Sequence, residues 1–318
     1  METIIYNYLQ NVFVDGEENL LATYIGKPAV FNTKVPDDIN EEYEEEESLW
    51  KDDVQFPRCV FELNMQADHE RKISGQLFVD VMCENEEESI RPETLADIAK
   101  QAVDGCFFSN TDLTISAQWQ RSDIFTQNDD KVAGMTVVFD ILAYPKQGTD
   151  SPDPIRATNL WLKTIYQNAY VIGFDKLPDV WKPTDETPTP TLYTRLSKIG
   201  QSNRMRSTAA VTWLSADIQI HVMNPSEDIR ARISSGMIEL LYFADKLILD
   251  DNSPMLIDGV NASFSADPQR EGQINLKTTY GVLPVEKAGE PLKHIYTQGF
   301  NAESEVNNGK DYYNHTGS

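Results

Sequence analysis

Residues 73–108, ISGQLFVDVMCENEEESIRPETLADIAKQAVDGCFF, constrain this chain more than any other stretch, because two periodicities sit side by side in it and neither can be buried alone. Leu77, Val79, Val81 and Cys83 fall on one side of an extended segment and Gln76, Phe78, Asp80 and Met82 on the other. One face is almost wholly apolar, which predicts a half-buried strand. Pro92 and Glu93 then open a helix whose Leu95, Ile98, Ala99, Ala102, Val103 and Phe107 recur at spacings of three and four, giving a single stripe to bury. Such a helix must cover a sheet.

The unit recurs at residues 209–243, AAVTWLSADIQIHVMNPSEDIRARISSGMIELLYF, with the same parts in the same order. Val79-Asp80-Val81-Met82 matches Ile220-His221-Val222-Met223 at an offset of 220 − 79 = 141, and Tyr144-Pro145 matches Leu283-Pro284 at 284 − 145 = 139. Short insertions absorb the difference. The expected fold class is α+β: two tandem copies of an antiparallel sheet with a helix packed on one face.

The rest of the chain fits around those copies. Ile4, Ile5, Tyr8, Leu9 and Val12 predict a short amphipathic helix, and residues 155–170 predict a second in the matching place. Strands are expected at 56–64 and as hairpins over 113–145 and 254–284. PKQGTDSPDP, residues 145–154, is polar and turn-forming, and separates a first domain at 1–148 from a second at 155–300, with a flexible tail at 301–318. An acidic arm is expected at about 37–53, where ten of seventeen positions are Asp or Glu and self-repulsion opposes folding. In the second copy a proline-rich connector replaces it, and SKIGQSNRMRS, residues 197–207, is expected as a basic turn.

Charge narrows the function classes. Asp plus Glu total 51 against 27 Lys plus Arg, a formal net charge of −24. Through Asp150 there are 11 basic and 31 acidic residues, leaving 27 − 11 = 16 and 51 − 31 = 20 for the remainder. Neither half offers the basic footprint that gripping a nucleic acid requires. An acidic surface suits solubility, a basic partner, or a passage from which DNA is repelled. Cys59, Cys83 and Cys106 lie in apolar segments without paired spacing and read as buried free thiols. METIIYNYLQNVF lacks the parts of a signal peptide and no apolar run approaches ~18 residues, so assembly in a reducing cytoplasm without a membrane is expected.

No phosphate-binding glycine loop, dinucleotide fingerprint, nucleophile elbow or zinc-protease motif is present. His69, His221, His294 and His315 are scattered, and no two histidines or cysteines have short ligand spacing, so neither a metal nor a cofactor is expected. Glu84, Glu86, Glu87 and Glu88 precede a helix, where its dipole favours carboxylates, and they lack the spacing of a calcium loop. The candidate contacts are between subunits: the acidic run Glu44, Glu45, Glu46 and Glu47 with Trp50 as anchor, received by Lys198, Arg204 and Arg206 of a neighbour.

The order helix, strand, connector, strand, long strand, helix, closing hairpin, with GQLFVDVM and TLADIAKQAVDGCF as central strand and main helix, resembles the tail terminator and tail completion proteins of long-tailed bacteriophages. Members of that family are usually single domains, so the duplication and the acidic arm depart from it. The resemblance implies a non-enzymatic virion protein of the tail or neck, assembled in the host cytoplasm. It also implies self-association into a ring, usually a hexamer, that caps the tail-tube protein and meets the head-connector protein while DNA passes without specific binding. Another neck, tail-tube or baseplate component is the alternative, and an enzyme with a dispersed carboxylate site a third.

Overall fold

A computed structural model describes residues 1–36, 49–66, 74–86, 89–127, 131–184 and 190–283. In chain order these form α1 (Glu2–Leu9), β1 (Val14–Asp15), β2 (Glu18–Asn19), β3 (Thr23–Tyr24), β4 (Lys27–Pro28), β5 (Val30–Asn32), β6 (Arg58–Met65), β7 (Gly75–Glu84), α2 (Pro92–Val103), β8 (Phe107–Ser109), β9 (Leu113–Gln127) and β10 (Val132–Pro145). They continue with α3 (Pro154–Ile165), β11 (Tyr170–Ile172), β12 (Val180–Trp181), β13 (Thr191–Gln201), β14 (Thr212–Met223), α4 (Glu227–Ala244), β15 (Lys246–Ile248), β16 (Pro254–Ala262) and β17 (Ile274–Val282).

The expected α+β class does not hold. The described residues are β-rich, 44% strand against 21% helix, and are built on two curled half-barrel sheets of seven and six strands. Five of the thirteen strands in these sheets, β5, β8, β11, β12 and β15, are two or three residues long, too short for alternation to be legible. The sheets are also mixed, since β5 pairs with β6, and β11 with β13, in parallel. The stretch expected as a basic turn is extended as far as Gln201, where β13 ends.

The first sheet runs β12-β8-β9-β10-β7-β6-β5 and the second β11-β13-β14-β17-β16-β15. With β12 set aside, the second is the first in reverse: β5 answers to β11, β6 to β13, β7 to β14, β10 to β17, β9 to β16 and β8 to β15. The ladders carry the match to residues. Cys59 faces Val81 and Leu192 faces Val222, while Val30 lies beside Cys59 and Val171 beside Leu192. Phe31, Val60 and Met82 therefore correspond to Ile172, Tyr193 and Met223. On the closing strands the ladders depart from the sequence pairing. Val79 faces Val137 and Ile220 faces Ile274, so Val137 answers to Ile274 at an offset of 137.

Each sheet has its own core on its concave side. In the first, Leu77, Val79, Val81, Val137, Phe139 and Ile141 meet Ile5 and Leu9 of α1 and Leu95, Ala99 and Val103 of α2. In the second, Ile218, Ile220, Val222, Leu276 and Tyr280 meet Ile155 and Leu162 of α3 and Met237 and Leu241 of α4. Each fully buried aliphatic side chain contributes roughly 1.5–3 kcal/mol. The helix starts follow local chemistry. Asp153 accepts from the backbone N–H groups of Ile155 at 2.9 Å and Arg156 at 3.2 Å, Ser226 from that of Ile229 at 3.4 Å, and Pro92 and Pro154 occupy first turns that need no donor. Residues Met1–Val282 form one compact unit; of the second, Leu283–Ser318, only Leu283 is described.

Candidate interaction surface

The connector LPDVWKP, residues 177–183, shows how the two sheets meet. Prolines at 178 and 183 hold the backbone extended and leave no helix to satisfy its amides. It takes partners from the first sheet instead. Val180 and Trp181 pair antiparallel with Phe108 and Phe107 as strand β12, and the Ser109 N–H donates to the Asp179 carbonyl at 2.9 Å. Trp181 stays anchored in its own half, with its indole N–H on the Thr191 hydroxyl at 2.8 Å and its ring edge-on to Tyr170 at 4.7 Å. The Lys182 ammonium reaches the last carbonyls of α2, Gln101 and Ala102, the end of a helix that attracts a cation.

Behind β12 an apolar layer closes the junction. Phe107, Leu142 and Tyr144 of the first sheet pack with Ile172, Leu177, Tyr193 and Met223 of the second. Their rings form a chain, with Phe107–Tyr144 centroids 5.9 Å apart, Tyr144–Tyr193 5.1 Å and Tyr193–His221 5.4 Å. Polar groups are matched across it. The Tyr193 hydroxyl donates to the Pro145 carbonyl at 2.9 Å, the Tyr144 hydroxyl to the Gln269 carbonyl at 3.3 Å, and Arg270 pairs with the buried Asp140 at 3.1 Å. Burial pushes the Tyr144 phenol well above its ordinary range.

The reactive residue types are placed for packing. His221 is 3% exposed, with Nδ1 2.9 Å from the Pro268 carbonyl and Nε2 buried without a described partner; burial lowers its pKa to about 4. Desolvation raises the thiols of the buried Cys59, Cys83 and Cys106, Cys83 to about 12, which makes them poor nucleophiles. Among the described residues no group of three or more His, Cys, Asp or Glu converges as a metal site. An open cleft of about 830 Å³ beside the junction mixes Lys146 and Lys176 with Asp112, Asp175 and Asp179, and offers no field of one sign.

Of the residues expected at subunit contacts, Trp50, Lys198, Arg204 and Arg206 are described. Glu44, Glu45, Glu46 and Glu47 lie outside the described residues. Trp50 is 3% exposed, packed against Tyr24 at 5.0 Å and Phe31 at 5.9 Å, so its indole is an internal packing group rather than an exposed anchor. Arg204 is engaged within the chain by Asp258 at 2.6 Å, while Lys198, in β13, and Arg206 are exposed.

The surface that stands open is elsewhere. β15 is the last strand of its sheet, and no described strand pairs with its outer side. Around it Ile248 is 53% exposed, Tyr242 63% and Phe243 86%. The buried stripe of α4 is Met237 and Leu241, with Ile233 and Ile238 half-buried beside it, and Tyr242 and Phe243 lie off it. The signal was present in the sequence: Leu240-Leu241-Tyr242-Phe243 is apolar around a whole turn, more than one stripe needs. Comparison with family models, curated proteins and solved structures finds no match for the chain.

Proposed function

We propose that the chain is a structural subunit of a closed ring at the tail of a long-tailed bacteriophage, a tail terminator that caps the tail tube and presents a face to the head connector. The observation that carries the assembly part is the junction. One sheet already extends the next by an added strand, and the sheet at the far end keeps its equivalent edge open and apolar. An open edge is an aggregation hazard unless a partner covers it, and a head-to-tail contact that closes on itself covers every edge with a neighbour. The phage part is supported by the element order, in which each half has a short helix, a strand, a connector, two longer strands, a helix and a closing hairpin. The net charge of −24 fits a passage along which DNA slides without sticking. No catalytic step enters this reading. Another neck, tube or baseplate subunit would share the same junction.

Native mass spectrometry of the full chain, with negative-stain imaging, tests the ring. A single closed species of three or six copies with a central opening is expected, and added to polymerising tail-tube protein it should arrest growth. A monomer at tens of micromolar would remove the reading; a ring that leaves tube growth unchanged would move it to another neck or baseplate role.

A further inference from the structure

The junction inside the chain specifies what a contact between chains would use. It joins the β8 side of the first sheet to the face of the second that carries Ile172, Tyr193 and Met223. The corresponding face of the first sheet carries Phe31, Val60 and Met82, and the chain closes it with its own β3–β4 hairpin and Trp50. What that plug turns outward is Ile25, 63% exposed and held at φ 47°, a conformation that β-branched residues rarely adopt. The two-residue turn Ile25-Gly26 of the β3–β4 hairpin requires positive φ at both positions, and it carries the Ile25 side chain at its tip. Ile25 lies on a groove shared with Tyr6, Phe31, Lys27 and Lys34.

At the opposite end, the β8 position is taken by β15, open on its outer side. Tyr242, Phe243 and Ile248 flank the turn from α4 into that strand, and Glu239, Asp245, Asp250 and Asp251 are exposed around them. One end is therefore apolar with a rim of net negative charge, four carboxylates against Lys246, and the other apolar with two lysines.

Resting on the ring reading, we propose that the β15 edge of one copy, with Tyr242, Phe243 and Ile248, docks on the Ile25 hairpin and the Lys27–Lys34 groove of a second copy. The contact continues between chains the sheet-to-sheet series that β12 begins within one. It is heterologous, so repetition does not stop at a dimer and forms a ring where the rotation between copies closes. The apolar centres are brought out of water, and the acidic rim meets the lysines.

Two single-face variants of the full chain test this, Phe243→Asp for the β15 end and Ile25→Asp for the hairpin end, with Ile248→Asp as an independent second change at the first. Circular dichroism confirms folding and native mass spectrometry reads the assembly. Wild type should form the closed ring and each variant alone should be monomeric, its contact weakened at least tenfold. An equimolar mixture should give a dimer with one chain of each kind, because each variant keeps one intact face. Lys27→Glu with Lys34→Glu should weaken the wild-type ring, most at low salt. Rings that persist in either variant overturn the docking site and leave the ring reading standing, whereas a monomeric wild type removes both. An Ile25→Asp chain that still self-associates through an intact Phe243 patch points to an isologous contact, and also overturns the proposal. So does a Phe243→Asp chain of unchanged mass but lower melting temperature, the result expected if residues 284–318 of the same chain cover the patch.

Discussion

His221 shows how one buried side chain turns into a property of the whole fold. Its ring is sealed between Tyr193, the Pro268 carbonyl and Gly272, where a Cβ would come within 3.1 Å of Nε2, so a charge there loses its hydration. Desolvation is the largest cause of its lowered pKa; Arg195 lowers it further, while the hydrogen bond to Pro268 and the charge of Asp267 work the other way. The folded value of about 4 lies below the ordinary 6.5, so the unfolded chain takes up the proton first. This contribution is fully present above about pH 6.5 and falls as pH drops toward 4, a loss of about 3 kcal/mol. Urea titrations at several pH values should show that slope in wild type and its reduction in His221→Phe. Equal slopes in the two would mean that the ring is protonated in the folded state. Trp50 teaches the complementary lesson. Next to an acidic run it looked like an exposed anchor, but an indole so close to Tyr24 and Phe31 finds its partners at home.

Elements of two or three residues decide how the halves are joined. β12 pairs with β8 through its backbone, while Trp181 ties it to Thr191 of the second half and the adjacent Lys182 ties it to the end of α2. Trp181→Ala removes the donor to buried Thr191 and the ring contact with Tyr170, at a cost of roughly 2 kcal/mol. Its local signature is sharper than its cost. Hydrogen exchange should speed at least tenfold over Phe107–Ser109, whose amides lose their outer strand, while β7 and β10 keep their protection. Uniform acceleration across the first sheet would show that β12 is part of its core and not an added edge. The periodic elements were legible because each carries enough repeats to declare a face; α2, β7, β14 and the closing hairpins lie close to where alternation puts them. β8, β11, β12 and β15 carry too few residues to do so.

At the scale of the molecule, the shared junction makes two cores answer to each other. Tyr193 and Met223 are buried only because Phe107, Leu142 and Tyr144 stand opposite, so neither sheet keeps its apolar face covered if the other unfolds. A single cooperative transition is expected in denaturant, coincident by tryptophan fluorescence and circular dichroism. Tyr193→Ala should cost about 3 kcal/mol and separate the transition into two, since it empties the centre of the contact and leaves each concave core intact. Two resolved transitions in wild type would mean that the junction contributes little.

What the sequence by itself determined was local and periodic: strand–loop–helix units that occur twice, the residues that fill their cores, the helix starts, and the absence of familiar catalytic motifs. Hydrophobic spacing records those because each residue needs only its near neighbours along the chain to reveal its face. The tertiary structure alone decided that the fold is β-rich, that a short piece of the second half completes the first sheet, that Trp50 is turned inward, and that exposed apolar residues gather at the β15 edge. Those outcomes depend on pairing between strands far apart in sequence, and a backbone N–H···O=C hydrogen bond leaves no mark on the side chains of the residues it joins.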